Sequence, residues 1–293
     1  MTVMQAQVFL AVVDTGSFTK AGERLNLSQS GVSHTISGLE AELGIQLLVR
    51  NRQGIRLTEA GERILMHARE IINRVEQIRQ IAADTLGMAV GTIRIGSFPS
   101  VSARVLPGVI RSFQTKFPHI ELVFCEGSYG QITQWLQTGE VDVGFVILPA
   151  AGLDATPLID DQLLAVVEEK HPLSRQKSVS VEQLAEEPFI LPLSGCERLV
   201  QEAFRQSGLS PQIRFEIADN PTILAMVNEG LGVSIVPQLT LPKHAEHVKV
   251  LPLQQKVGRT IGLAVSPLMD AAPAVRAFMQ TAEQWVKEHL ATI

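Results

Sequence analysis

The chain has 293 residues, 45% of them hydrophobic, and a formal net charge of −5. That length suits two or three domains with ample core, while two cysteines are too few for a disulfide scaffold or a structural zinc site. No apolar run of about 18 residues offers a membrane span, and no secretory leader opens the sequence, so a cytoplasmic protein without membrane contact is expected.

Residues 2–14 predict a first helix with Val8, Phe9, Ala11 and Val12 on its packed side. Ser17 suits the N-cap of a second helix, whose apolar side is Phe18, Ala21 and Leu25. Asn26-Leu27 interrupts the pattern and Ser28 caps a third helix. There Val32, Ile36, Leu39 and Leu43 recur four, three and four apart on one side. The opposite side carries Gln29, Ser30, Ser33, His34 and Ser37. Such short donors and acceptors let a helix approach base edges in a major groove, where Gln bonds adenine bidentately. A glycine inside a helix costs about 1 kcal/mol against alanine, so Gly31 points to a close approach. Together these features favour a helix-turn-helix.

IQLLVR (45–50) and GIRLT (54–58) read as two short strands around Asn51-Arg52-Gln53-Gly54. Residues 1–58 hold five Lys/Arg and four acids, so the acidity lies farther along, in residues 88–293. Three of those five cations are Arg50, Arg52 and Arg56, at the hairpin. Arg50, Arg52 and Gln53 suit contacts to phosphates or the minor groove. From Glu59 to about Leu86 one long helix is predicted. Ile64, Ala68, Ile71, Val75, Ile78 and Ala82 form an apolar seam at the heptad spacing. Such a helix extends about 42 Å and outruns a domain of fifty residues, so pairing with the same helix of a second chain is expected through Ile64, Ala68, Ile71, Val75 and Ile78.

The run AVVDTGSFTKAGERLNLSQSGVSHTISGLEAELGIQLLVRNRQGIRLTEAGERIL resembles the N-terminal region of LysR-type transcriptional regulators over its whole length. Its GSFTKAGERLNLSQSGVS core, the ELG that ends the third helix and the RLTEAG after the hairpin match in order. Family members often carry Arg where this chain has His34. The resemblance implies an all-α winged helix-turn-helix domain (1–58), a linker and dimerisation helix (59–87) and an α/β effector-binding domain (88–293). Double-stranded promoter DNA is the implied partner, with Ser28, Gln29, Ser30, Ser33, His34, Arg50, Arg52 and Gln53 at the interface. Self-association as a dimer or tetramer is implied as well.

After a short break at 87–91, strands and helices alternate. Strands are read at 92–97, 120–125, 141–148, 163–169, 189–191, 212–218 and 233–237. Helices are read at 102–116, 129–138, 197–206 and 222–229, with a return strand at 259–266 and a terminal helix at 273–290. This alternation predicts mainly parallel sheets in two similar Rossmann-like halves with a cleft between them. It resembles the periplasmic-binding-protein-like effector domain of the same family. The family implies subdomain I at about 91–161 and 268–293 and subdomain II at about 162–267, with crossings near 160–163 and 265–268.

Ligands of open α/β sheets bind beyond the carboxyl ends of the strands. Those ends supply Ser97, Pro99, Ser100, Val101 and Ser102; Ser128; Ile147; Ser194, Gly195 and Cys196; and Asn220, Pro221 and Thr222. Family members place effector contacts at the positions of Ser100, Ser102, Ser128 and Thr222. Helix N-termini and hydroxyls favour a small organic anion, with no Arg or Lys in these loops except Arg104. Cys196 sits at a predicted helix N-terminus, where a thiolate is stabilised. It matches the region of the reactive cysteine in the family's peroxide sensors, with Cys125 as its one possible partner. A redox-responsive regulator is therefore an alternative. The rival from another class is a cytoplasmic ligand-binding protein or enzyme with an appended helical domain. His244 and His247 lie three apart without a third ligand, and no phosphate loop, dinucleotide fingerprint or G-x-S-x-G occurs. No catalytic residue, metal or cofactor is expected.

Overall fold

The computed structural model describes residues 1–51, 54–85, 91–193, 195–242, 247–266 and 272–290. Residues 87–90 of the predicted break, Arg52, Gln53, Ser194 and His244 lie outside the described residues, as does the side chain of Arg50. The first domain packs α1 (Val3–Thr15), α2 (Phe18–Leu25) and α3 (Gln29–Leu43) beside a hairpin of β1 (Leu48–Asn51) and β2 (Gly54–Leu57). Val8, Phe9, Val12, Ala21, Val32 and Leu39 are fully buried together at its centre. Leu43, expected on the same apolar side, is exposed because the last turn of α3 outruns that core.

The turn between α2 and α3 is set by Asn26 at φ +55° and by Gly22, where a Cβ would stand 2.6 Å from the Leu27 carbonyl oxygen. Gly31 lies in the first turn of α3, where its N–H donates to the Ser28 cap at 3.1 Å and a Cβ would stand 3.2 Å from that oxygen. The hairpin is tied down by two residues, Glu40 of the matched run and Thr58 of the RLTEAG motif. Glu40 accepts from the N–H groups of Leu47 (2.7 Å) and Leu48 (3.1 Å). Thr58 caps the next helix through Gly61 N–H at 2.9 Å, and only glycine fits at position 61, since a Cβ would lie 2.2 Å from the Leu47 carbonyl.

That next helix, α4 (Glu59–Thr85), has three faces. Ala68 joins the core of the first domain, and Ile64, Leu65 and Ile72 pack against it partly buried. The polar stripe Arg69, Asn73 and Gln77 is buried. Arg69 Nη2 donates to Asp14 of α1 (2.8 Å) and to Glu140 of the following domain (2.5 Å). Asn73 donates to the Gly139 carbonyl at 3.2 Å and accepts from Arg94 at 3.2 Å. Ile71 and Val75 are half-buried, and Ile78 is 66% exposed. Ala68, and in part Ile64, are thus spent inside the chain and not on the outward seam expected of them.

The larger domain runs β3 (Gly91–Ser97), α5 (Pro99–Arg104), α6 (Leu106–Lys116), β4 (Ile120–Glu126), α7 (Tyr129–Thr138), β5 (Val143–Leu148) and β6 (Ala155–Glu168). It continues with α8 (Val181–Ala185), β7 (Pro188–Pro192), α9 (Glu197–Gln206), β8 (Gln212–Ile217), α10 (Asn220–Asn228), β9 (Ser234–Pro237), β10 (Val248–Pro252), β11 (Gly258–Val265) and α11 (Pro273–His289). The single helix expected at 102–116 is broken at Val105. Pro107, in the first turn of α6, has no N–H with which to continue the ladder. Strand β10 was not anticipated.

The sheet order is β10-β6-β11-β5-β3-β4, with β9 also on β6 and β7 paired to β8. Parallel pairing holds at β3–β4, β3–β5 and β7–β8. The pairs made by β6 and β11 are antiparallel, so the expectation of mainly parallel sheets gives way to a mixed one. The antiparallel strands are the crossings themselves. β6 pairs with β11 up to Gln162 and with β9 and β10 from Leu163. β11 pairs with β5 from Thr260 to Val265, which places the return crossing before Gly258 and not at 265–268. Three apolar cores result: one around Ile93, Phe113, Phe145 and Phe278, one around Phe189, Leu191, Phe204 and Ile235, and a smaller one around Val166, Ile190, Ile223 and Val236.

Candidate functional site

The first candidate surface is the polar side of α3. Ser28, Gln29, Ser30, His34 and Ser37 are exposed and Ser33 is half-buried, while Val32, Ile36 and Leu39 anchor the opposite side. The Ser28 hydroxyl is 3.0 Å from that of Ser30, so the two hydroxyls are already ordered at the helix N-terminus. Exposed Arg56 lies on the same domain, in β2. A rigid helix of this kind, presenting uncharged donors and acceptors beside a hairpin, has the form of a major-groove reader.

The second lies between the subdomains, where α5 meets the 3₁₀ turn Gln238–Thr240. At its centre Arg259 of β11 stands opposite Asp161 of β6 in the register, and both side chains are 1% exposed. Arg259 donates to Asp161 Oδ2 through Nε (2.8 Å) and Nη2 (2.6 Å), and to Ser100 Oγ through Nη2 (2.9 Å). Its Nη1 donates to the Tyr129 hydroxyl. The guanidinium lies 5.3 Å from the Phe98 ring centroid and 5.7 Å from that of Tyr129. Leu239 N–H donates to Asp161 Oδ1 at 3.0 Å.

Phe98, Ser100, Tyr129 and Arg259, with Pro99, Asn220 and Thr240, enclose a cavity of about 10 Å³, room for a single water. Asn220 Oδ1 is buried there without a hydrogen-bond partner among the described residues. Burial raises the Asp161 carboxyl above its ordinary range, with Arg259 working against the rise. Burial also pushes the Tyr129 hydroxyl up to about 12, again opposed by Arg259.

Of the residues expected to hold a ligand, Ser100, Pro99 and Asn220 come together at this cavity. Gly195, at φ +96°, brings subdomain II onto Tyr129, since a Cβ would lie 2.5 Å from the ring. Cys196 follows it, fully buried. The others serve their own elements. Ser97 and Ser102 bond one another at 3.2 Å, Val101 is in the core, and Ser128 caps α7 in a reciprocal box with Gln131. Ile147 packs at the edge of the core, opposite Ile261. Pro221 and Thr222 are exposed. The N–H and hydroxyl of Thr222 both go to Asp219, at 2.9 and 2.6 Å. A carboxylate of the chain itself therefore occupies the helix N-terminus that a ligand was expected to use.

The strand-end loops hold no Arg or Lys but Arg104, as read; the cation of the cleft is Arg259, carried by a strand. In the sequence it opens an apolar strand, and neither it nor Asp161 and Tyr129 lies in a strand-end loop. Their meeting depends on the crossing register, which no local pattern reveals. Tyr129 is the chain's one tyrosine, so tyrosinate absorbance reports on this cavity alone. The native protein is expected to titrate near pH 12 and the unfolded chain near 10. With the native value raised, the stability this group contributes is full below pH 10 and is lost as the pH rises to 12. A native midpoint at 10 would show that the hydroxyl is open to solvent.

Comparison with known proteins bears on both surfaces. Residues 3–62 match the family described as "Bacterial regulatory helix-turn-helix protein, lysR family", and residues 86–287 match "LysR substrate binding domain". An uncharacterized HTH-type transcriptional regulator of Bacillus subtilis, YvbU, is 37% identical over 97% of this chain and 98% of its own length. LrrA of Synechococcus elongatus, a probable HTH-type transcriptional regulator, is 33% identical over 100% of both chains. A full-length OxyR variant from Pseudomonas aeruginosa has the same fold, with a TM-score of 0.79 over 96% of this chain and 94% of its own at 24% identity.

Proposed function

The chain belongs to the LysR family of DNA-binding transcriptional regulators, and from that we propose a regulator, not an enzyme, whose activity is set by a small organic anion held between its two α/β subdomains. The observation that carries this is Arg259, a buried guanidinium aimed at the cleft hydroxyls Ser100 and Tyr129. Asp161 already neutralises its charge. An incoming carboxylate therefore gains hydrogen bonds more than net Coulomb energy, and selectivity rests on shape. Asn220 Oδ1 is an acceptor in want of a donor, which favours a carboxylate carrying a hydroxyl or ammonium on the adjacent carbon. The cavity fits about one water, so binding such an acid means parting the subdomains by a small amount. A ligand shifts the protein only by its differential affinity for the two arrangements, and one touching Ser100 and Asn220 touches both subdomains.

Calorimetry against a panel of 2-hydroxy, 2-amino and unsubstituted short carboxylic acids tests this directly. Heat and a raised melting temperature are expected for the substituted acids. No heat from any member would overturn the anion reading.

On the DNA side, Gln29 and Ser33 are proposed to read bases while Arg50, Arg52 and Gln53 hold the backbone. Gln29→Ala is expected to cost about 1–3 kcal/mol on the cognate site and to flatten discrimination between sequences. Fluorescence anisotropy with the chain's own upstream DNA against random duplex measures both. Equal losses on the two DNAs would put the wrong helix in the groove. Self-association is proposed through the outward side of α4, where Ile71, Val75 and Ile78 remain uncovered or partly so. A thiol switch has less support: Cys196 is fully buried, and burial pushes the Cys125 thiol up.

A further inference from the structure

Helix α7 touches the cleft with one end and the linker helix with the other. At its N-terminus Tyr129 accepts a hydrogen bond from Arg259 and lies against the backbone of Gly195. Ten residues on, about 15 Å at the helical rise, Gly139 at its C-terminus accepts from Asn73 and the neighbouring Glu140 accepts from Arg69. Arg69 is 7% exposed and also holds Asp14. One side chain of the linker helix thus ties the DNA-binding domain to the end of α7.

Two further observations suit a moving part. The inner side of α7, Ile132 and Leu136, rests on Gly96 and Gly144, where a Cβ would come within 3.2 and 2.9 Å of Ile132. At these two positions the sheet offers bare backbone to the helix, and small sliding of packed helices is an established mode of transition. At the far end, α1, α4, β4 and α7 leave a groove of about 770 Å³ beside the clamp, lined by Leu10, Ile72, Arg94, Cys125 and Trp135 among others. Core-like packing leaves few voids larger than a water, so this contact between domains is held by its polar ties more than by close fit.

From this geometry we infer that α7 is the element that carries the state of the cleft to the linker helix, with the Arg69–Glu140 clamp as its output end. The inference rests on the cleft being the effector site. A ligand that takes Arg259 from Tyr129 frees one end of α7, and the shift is delivered to α4 and, through Asp14, to α1.

Hydrogen exchange on the full-length protein tests each end. Glu140→Ala, a partly exposed position, is expected to speed amide exchange at residues 139–142 and 69–77 at least tenfold, with the melting temperature little changed. Tyr129→Phe is expected to raise exchange at the same amides, and to add nothing in the Glu140→Ala background, because the rod is already uncoupled. Unchanged exchange in Glu140→Ala overturns the clamp. A Tyr129→Phe effect confined to the cleft, or one that adds in full to Glu140→Ala, overturns the rod. Failure of the organic-acid panel is a separate result: it would remove the effector reading without altering the coupling measured here.

Discussion

Arg259→Met is expected to destabilise the larger domain by about 3–5 kcal/mol at neutral pH, the range for removing one partner of a buried ion pair. Both side chains are 1% exposed, so solvent screening gives little relief. Asp161 loses the donors at 2.6 and 2.8 Å on its Oδ2 and keeps the backbone N–H groups of Leu239 and Gln238. The sign of the pH dependence follows. Burial already raises the Asp161 carboxyl, and Arg259 opposes the rise, so the folded value climbs further in the variant. Below about pH 4 the group is protonated folded and unfolded alike, and the deficit is smallest there. It grows as the pH rises toward the new folded value.

Adding Asp161→Asn should return part of the loss, because the stranded charge is gone. Scanning calorimetry of the single and double variants between pH 4 and 8 measures all three statements. A deficit under 1 kcal/mol at pH 7 would mean that the pair is solvated and that Arg259 is not the buried anchor of the cleft.

Ile78→Asp is expected to leave the chain folded and turn the oligomer into a monomer. Ile78 is 66% exposed on the single chain, so a carboxylate there is solvated and harmless to folding. In a paired seam the same carboxylate faces apolar groups and its counterpart, where an unpaired charge is costly. About 3 kcal/mol corresponds to a hundredfold or more in the dissociation constant. Ala68→Asp is the contrasting control. Ala68 is fully buried in the core of the first domain, so that variant is expected to unfold the domain whatever the oligomer does. Sedimentation velocity at micromolar protein decides the matter. An unchanged oligomer for folded Ile78→Asp would move the interface off α4.

What the sequence alone dictates is local. The caps Ser17 and Ser28, the buried trio Val32, Ile36 and Leu39, the polar side of α3 and the length of α4 follow from spacing within one element, where neighbours three or four apart share a side. The alternation of strands and helices likewise gave the plan of two α/β halves. What failed was decided by partners far away in the chain. Arg69, Asn73 and Gln77 are spaced as regularly as the apolar seam, and a polar stripe of that kind ordinarily faces water. It is buried here because Asp14 and Glu140 arrive from other domains to pair with it. Thr222 has the look of a ligand contact until Asp219 is seen bonding it. Arg259 and Asp161 are 98 positions apart and meet only through the antiparallel register of the two crossing strands. Burying a charge requires a partner in place. Only the tertiary structure could decide which charge that would be, since the pairing is a property of the strand register and not of either residue's neighbourhood.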